Sequence, residues 1–367
     1  MDKKLIKRLD FTLIAVVILL NIISISAIGS ATQAGASGSE RYYYMQRQGI
    51  FFLINVILIA LSLRVDYRNL ANIAKGLYIF NIVILIAVML VGKTALGAQR
   101  WIQIGPISIQ PSEFSKIIMI VTFAAMLEYW KDNLQRMKDL LPIALFMIVP
   151  TALVMKQPDL GTSLVFFAIS LGMLFVAGIN VRILWGGFIG ILAAMPLFWK
   201  LMHEYQRNRI RVFMNPELDP LGSGYHVIQS KIAIGSGMIF GKGFMQGSQS
   251  QLSFLPENHT DFIFAVVGEE FGLAGCLVVL LLYAILLYRC VRIAMTASDD
   301  FGCFIATGIV SMTIFHIFVN VGMTTGIMPV TGIPLPFMSY GVSALTINMM
   351  AVGLLLNIHA RRQKIMF

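Results

Sequence analysis

Apolar runs of membrane-spanning length recur from one end of this chain to the other, and few folds survive that constraint. They lie at about 11–29, 48–63, 77–92, 112–128, 141–155, 161–177, 182–202, 261–288, 302–320 and 337–358. Roughly 20 apolar residues cross the hydrocarbon core as an α-helix, and a helix satisfies its own backbone where no water can. The chain is therefore expected to be an all-α polytopic membrane protein of about ten transmembrane helices, a single domain over residues 1–367. Composition agrees, because 57% hydrophobic and 13% charged residues lie outside the range of soluble domains. The first run follows Lys3, Lys4, Lys7 and Arg8, and its length without a clear cleavage site favours a retained span over a secretory signal.

A net charge of +10 would suggest a polyanionic partner in a soluble protein. Here topology uses up much of the excess Lys and Arg, so no nucleic acid is expected as a partner. An even number of spans puts both ends on one side. With the N-terminus inside, the inner segments hold about 16 Lys and Arg, among them Arg361, Arg362 and Lys364, against about five in the short outer loops. Arg41, Arg47, the loops 93–110 and 156–160, the segment 203–260 between helices 7 and 8, and the segment 322–336 then face outward, away from ATP. The 203–260 segment is the one long polar stretch, beginning at His203, and chemistry is expected there. A stretch of roughly 58 residues without structure is unusual in a compact protein, so short helices on the outer surface are expected within it. Cys276, Cys290 and Cys303 lie in or at the ends of apolar runs, which suggests neither a disulfide framework nor a thiolate metal site.

Two spans have informative lengths. The eighth runs without a breaker from Asp261 to Tyr288, roughly 42 Å as a helix, so the turns carrying Asp261, Glu269 and Glu270 are expected at the outer interface or along a cavity. At least one of the two glutamates should be buried and paired. The clean apolar part of the fourth, Ile117 to Leu127, is too short, which draws Glu113 and Lys116 into the membrane zone. These two share a helix face; they either neutralise each other or face a cavity. Gly97-Ala98-Gln99-Arg100-Trp101 and Gln110-Pro111-Ser112 give that helix a cation, an interfacial aromatic and a capping serine. Asp261 is either a helix cap or a carboxylate able to accept a proton. Arg207, Arg209 and Arg211 suit a lipid pyrophosphate or phospholipid head groups equally. Asp159 in its short turn reads as a turn or cap residue, and His316 as a hydrogen-bonded bundle residue. The Gly- and Pro-rich run from Asn320 to Gly341 reads as a rigid re-entrant hairpin. HExxH, P-loop and GxSxG signatures are absent from the sequence, so protease, ATPase and hydrolase readings lack support.

The chain resembles the SEDS family, which comprises the RodA, FtsW and SpoVE proteins, along essentially its whole length. The resemblance is carried by Arg100-Trp101 with Pro111-Ser112-Glu113 and Lys116, by Gln157-Pro158-Asp159-Leu160-Gly161-Thr162, and by Tyr205-Gln206 with Arg209. Gln229-Ser230 with Ala233-Ile234-Gly235-Ser236-Gly237, Leu255-Pro256-Glu257 with His259-Thr260-Asp261-Phe262, and Ser339-Tyr340-Gly341 complete it. Gln229-Ser230-Lys231 and Gln249-Ser250-Gln251-Leu252-Ser253-Phe254 look more like the elongation branch, RodA, than the division branch. Met238 and Val342 depart from the family, which usually has glycine at both positions.

The resemblance implies a peptidoglycan glycosyltransferase of cell-wall elongation and rod shape, multi-pass in the bacterial plasma (inner) membrane. Both termini would be cytoplasmic and the active site extracytoplasmic. It would polymerise lipid II with a class B penicillin-binding protein, a transpeptidase, as partner, among membrane lipids. The family's catalytic aspartate falls on Asp261, and substrate contacts are expected from Arg100, Trp101, Glu113, Lys116, Asp159, Arg207, Arg209, Lys231 and Ser339. An acceptor hydroxyl would displace a lipid pyrophosphate in one inverting step, with Asp261 taking its proton. The leaving undecaprenyl pyrophosphate calls for neutralisation by Arg209, Arg207 and Lys116, or by a bound divalent cation such as Mg or Mn. Two other classes stay open: a lipid II flippase, and a non-catalytic activator of the penicillin-binding protein.

Overall fold

The computed structural model describes residues 7–33, 42–95, 98–105, 107–131, 134–135, 137–202, 204–220 and 222–362. Lys3, Lys4, Arg41, Gly97, His203 and Lys364 lie outside the described residues. Seven helices precede the polar segment: α1 (Phe11–Ala31), α2 (Tyr43–Ser62), α3 (Asn69–Val91), α4 (Pro111–Trp130), α5 (Leu141–Lys156), α6 (Leu160–Val176) and α7 (Val181–Ala193), the last extended by α8 (Met195–Leu201). Then come α9 (Glu204–Met214), α10 (Ser223–Ser236) and the single turn α11 (Ser248–Gln251), followed by α12 (Ile263–Met295), α13 (Asp300–Thr325) and α14 (Val342–Ala360). Each of the ten apolar runs falls on a helix. By length and composition α1, α2, α3, α12, α13 and α14 can each cross a membrane.

The helices differ in what they face. α4, α13 and α14 are buried along most of their length, and α4 packs against α3, α6, α13 and α14 at the centre of the bundle. α2 and α3 instead expose Leu53, Ile57, Ile79, Leu90 and other large apolar side chains, as lipid-facing helices do. The long polar segment does contain short helices, α9 to α11. One element departs from an all-helical reading: β1 (Lys93–Ala95), β2 (Ala98–Ile104) and β3 (Ile107–Ile109) form a small antiparallel sheet in that order. Its second hairpin turns at Gly105, which has a φ of +59°, between the alternating runs Ile102, Ile104 and Ile107, Ile109.

The eighth span is not unbroken. Gly272 takes φ +65° and ψ −161° inside α12, a conformation closed to other residues. The break frees backbone groups that the 238–243 loop then pairs. Lys242 and Gly243 donate to the carbonyls of Glu269 and Glu270 at 3.0 Å, and Leu273 and Ala274 donate to Met238 and Ile239 at 2.9 and 3.0 Å. A Cβ at Gly272 would lie 2.6 Å from the Ile239 carbonyl, so glycine is needed for the close approach as well. Met238, where the family usually has glycine, takes φ +50°, whereas Val342 is an ordinary first residue of α14.

Candidate active site

One cavity of about 560 Å³ opens between these elements, and Asp261, Arg100, Trp101, Glu113, Lys116, Asp159 and Arg209 all lie in its wall. Seven residues picked from separate stretches of sequence thus meet at one place, together with His316, Gln110, Glu257 and Tyr340.

Asp261 does not cap a helix. α12 begins two residues later, its N-cap position is Phe262, and no side chain caps it. Asp261 belongs to a turn in which Thr260 and Phe262 both donate to the Glu257 carbonyl at 3.2 Å. Neighbouring segments hold the rest of that backbone. Asn320, fully buried on α13, donates from Nδ2 to the carbonyls of Asp261 at 3.0 Å and Ile333 at 2.8 Å. Ser339 donates to the Thr260 carbonyl at 2.6 Å, and the Tyr340 amide to the His259 carbonyl at 2.9 Å. The Gly- and Pro-rich run is therefore a brace behind the aspartate. The carbonyls of the turn need donors at this depth, and Ser339, the Tyr340 amide and Asn320 supply them. Asp261 lies just outside the helical span, where burial and the nearby Glu257 push its carboxyl up to about 6 against the opposing pull of Arg209 and Arg100. Near neutral pH it is ionised and still basic enough to take a proton.

The cations arrive differently. Lys116 is buried on α4 and donates to Glu113 Oε1 at 2.7 Å, one turn back, with His316 Nε2 at 3.4 Å. Glu113 thus holds the ammonium in the cavity wall, and both readings of the pair are met together. Arg100 reaches in from β2 and lies 3.6 Å from Asp159. Asp159 is the N-cap of α6, accepting from the Thr162 amide at 3.1 Å, and it also accepts from Gln110 at 3.0 Å and Ser112 at 3.2 Å. Ser112 is therefore no cap of α4; its hydroxyl ties α4 to the start of α6. Arg209 on α9 donates to the Thr331 carbonyl at 3.3 Å.

Three expected substrate contacts lie elsewhere. On a helix, residues two apart point to nearly opposite sides, so α9 sends Arg209 to the cavity while Arg207 and Arg211 turn to Glu204, at 3.6 and 2.9 Å. Lys231 is exposed on α10 beside Gly326. Ser339 braces the turn from behind. Glu269 and Glu270 are buried but off the cavity: Glu269 accepts from Lys242 at 2.8 Å and from the Gln249 amide at 2.8 Å, and Glu270 accepts from Ser30. Asn320 and His316 gave weak signals as single polar residues in an apolar run.

Among the described residues no group of three or more His, Cys, Asp or Glu could hold a metal ion. Of the cavity carboxylates, Glu113 and Asp159 are already paired. A divalent cation brought in by a bound phosphate group would be met by Glu257 or Asp261.

Residues 7–364 match the family described as "Cell cycle protein", which groups FtsW, RodA and SpoVE. The peptidoglycan glycosyltransferase MrdB of Escherichia coli K12 is 41% identical over 358 residues, covering 97% of this chain and 95% of that protein. The stage V sporulation protein E of Bacillus subtilis is 38% identical over 366 residues, covering 96% and 98%. A solved chain from a peptidoglycan synthase complex, described for its coordination of polymerization and crosslinking, superposes with a TM-score of 0.82 at 29% identity, over 96% of this chain and 97% of its own. The rod shape determining protein RodA of Thermus thermophilus superposes with a TM-score of 0.72 at 28% identity, over 97% and 98%.

Proposed function

The chain belongs to the FtsW, RodA and SpoVE family, and from that premise we propose that it is a peptidoglycan glycosyltransferase polymerising lipid II, with Asp261 as general base. The observation that carries the assignment is the placement of one poised carboxylate in a cavity wall that also holds Lys116, Arg100 and Arg209. A glycosyl transfer from a lipid pyrophosphate needs those two kinds of group. The acceptor hydroxyl needs a base as its oxygen bonds to the anomeric carbon, and the departing pyrophosphate needs positive charge more than a proton. The carboxylate takes the acceptor proton while Lys116, Arg100 and Arg209 hold the pyrophosphate. Displacement in one step inverts the donor carbon. A phosphate-borne divalent cation would add charge neutralisation to that of the side chains.

The charge bias of the loops supports an outward-facing cavity with both termini in the cytoplasm. The lipid tails then remain in the bilayer while their heads meet beneath the polar segment of a single transmembrane domain. Similarity to a chain of a synthase complex supports a crosslinking partner, a class B penicillin-binding protein.

The test is glycan synthesis from purified lipid II by the partner-bound protein, wild type against Asp261→Asn, with divalent cation present or chelated. Long glycans from wild type and none from a folded, partner-bound Asp261→Asn protein are expected. Normal polymerisation by the variant would remove Asp261 as the base. Lipid II crossing liposomes without any polymer would turn the assignment to a flippase.

A further inference from the structure

At the edge of the cavity lies a cluster of rings that the transfer step does not use. Tyr44 packs edge-on against Tyr340 with centroids 4.9 Å apart and lies 5.0 Å from the His259 ring, while His259 and Tyr340 are 5.7 Å apart. Tyr43 extends the cluster, edge-on to Tyr44 at 5.3 Å. Arg47, one helical turn on, donates to the Tyr43 hydroxyl at 2.7 Å and sits 5.7 Å from its ring centroid. Three separate pieces of chain meet here: the start of α2, the turn that carries Asp261, and the end of the Gly- and Pro-rich run.

Tyr43 and Tyr44 keep 48% and 37% of their surface exposed, so the rings present area to something outside this chain. Tyrosines at a membrane surface ordinarily form an interfacial belt. These are arranged otherwise, because Tyr44 is turned against His259 and Tyr340, and Tyr340 and Arg47 are themselves part of the cavity wall. His259 is only two residues from the base. The shelf is thus continuous with the reaction site. A pyranose ring offers an apolar C–H face and a polar hydroxyl edge, and such a body is held by aromatic faces with hydroxyl, imidazole or guanidinium groups at their margins.

Size supplies the remaining step. A cavity of about 560 Å³ falls in the range that encloses one small-molecule head group. A strand of several sugars has to leave it across an edge, and Tyr340, against which Tyr44 packs, lines the same cavity as the base.

We infer that Tyr43, Tyr44 and Tyr340, with Arg47 and His259, form a saccharide subsite that holds sugar units of the glycan strand beyond the reacting one. The inference rests on the polymerase reading for its ligand. Its consequence is a grip on the strand between successive transfers, which acts on product length more than on the transfer itself.

Two measurements on the full-length, partner-bound protein test it. In lipid II polymerisation, Tyr44→Ala and Tyr43→Ala should shorten the mean glycan by roughly three- to tenfold, a larger drop than in lipid II consumption, while Tyr44→Phe stays near wild type. In saturation-transfer NMR, a soluble GlcNAc–MurNAc tetrasaccharide without lipid or pyrophosphate should show ring-proton contact that Tyr44→Ala abolishes. Unchanged length, or length and consumption falling in proportion for every variant, overturns the inference. So does tetrasaccharide binding that ignores Tyr44→Ala while membrane yield falls, which would make the rings an interfacial belt. If wild type makes no polymer yet binds the tetrasaccharide through Tyr44, the subsite stands and the polymerase reading fails.

Discussion

Asp261 sits in a turn whose carbonyls at Glu257, His259, Thr260 and Asp261 are all taken up by neighbouring groups, whereas Arg209 and Arg100 reach the same cavity from a surface helix and a three-stranded sheet. The first region has its backbone fixed from behind by Asn320 and Ser339, both buried. The second places charge at the ends of long, rotatable side chains. A general base has to meet one proton at hydrogen-bond distance, so its position matters at the scale of an ångström. Charge neutralisation falls off slowly with distance and tolerates several arrangements. The cavity is rigid at the base, and of its cations Lys116 is fixed by Glu113 whereas Arg209 and Arg100 are the adjustable part.

The sharpest break of that contrast is at the base. Asp261→Asn keeps the shape and the backbone hydrogen bonds but cannot accept the proton, and glycan synthesis should fall by about 10²- to 10⁴-fold with folding intact. The brace comes next. Asn320→Ala leaves the Asp261 and Ile333 carbonyls without their partner, at about 1–3 kcal/mol of stability. The turn is then free to shift, and polymerisation should drop roughly 10- to 100-fold with substrate affinity nearly unchanged. A comparable loss on removing Arg209 with no loss on removing Asn320 would reverse the assignment of rigidity.

How much of this was legible in the sequence follows from the same contrast. The helical character of the ten apolar runs and the burial of Glu113 and Lys116 are legible, because period, length and charge in an apolar run are local signals. Asp159, Arg209 and Asp261 are assigned to the site only by the family resemblance, and only the fold shows them lining one cavity. The Gly272 break is not legible, because the loop that pairs with it lies about 30 residues away and only packing shows that Gly241 and Gly272 meet. The small sheet is signalled only by the alternation of Ile102, Ile104, Ile107 and Ile109, a short pattern beside much longer apolar runs. Of the two local readings of Asp261 the cap does not hold, because α12 starts beyond it and hydrogen bonds from residues 59 or more positions further on keep it in a turn. Arg207 points away from Arg209 because alternation along the sequence does not survive being wound into a helix.

Titration separates the two regions more finely. Burial and Glu257 raise the Asp261 carboxyl from 3.8 to about 6, so activity should rise with pH through about 6 as the base ionises. The stability sign is opposite. A folded-state value above the unfolded one means that this group's contribution is full below about 3.8 and is lost as pH rises through about 6. Arg209 pulls the value down, so Arg209→Ala should move the acid limb of the rate profile to higher pH while also weakening pyrophosphate binding. Glu257→Gln should move it to lower pH. A limb that ignores both changes would mean that the titrating base is another group.

The smallest effect is expected at Arg207, and it tests whether charge alone or charge at the cavity matters. Arg207 and Arg209 are two residues apart on one surface helix, yet Arg207 pairs with the exposed Glu204 and contacts the Lys200 carbonyl at 3.1 Å. An exposed ion pair of that kind contributes about 0–1 kcal/mol. Arg207→Ala should therefore change glycan synthesis by less than about threefold and leave the acid limb in place. Raising salt should blunt even that difference, because the pair is open to screening. An Arg207→Ala protein as impaired as Arg209→Ala would mean that the whole basic helix acts as one field on the substrate, and the adjustable half of the cavity would then extend beyond its wall.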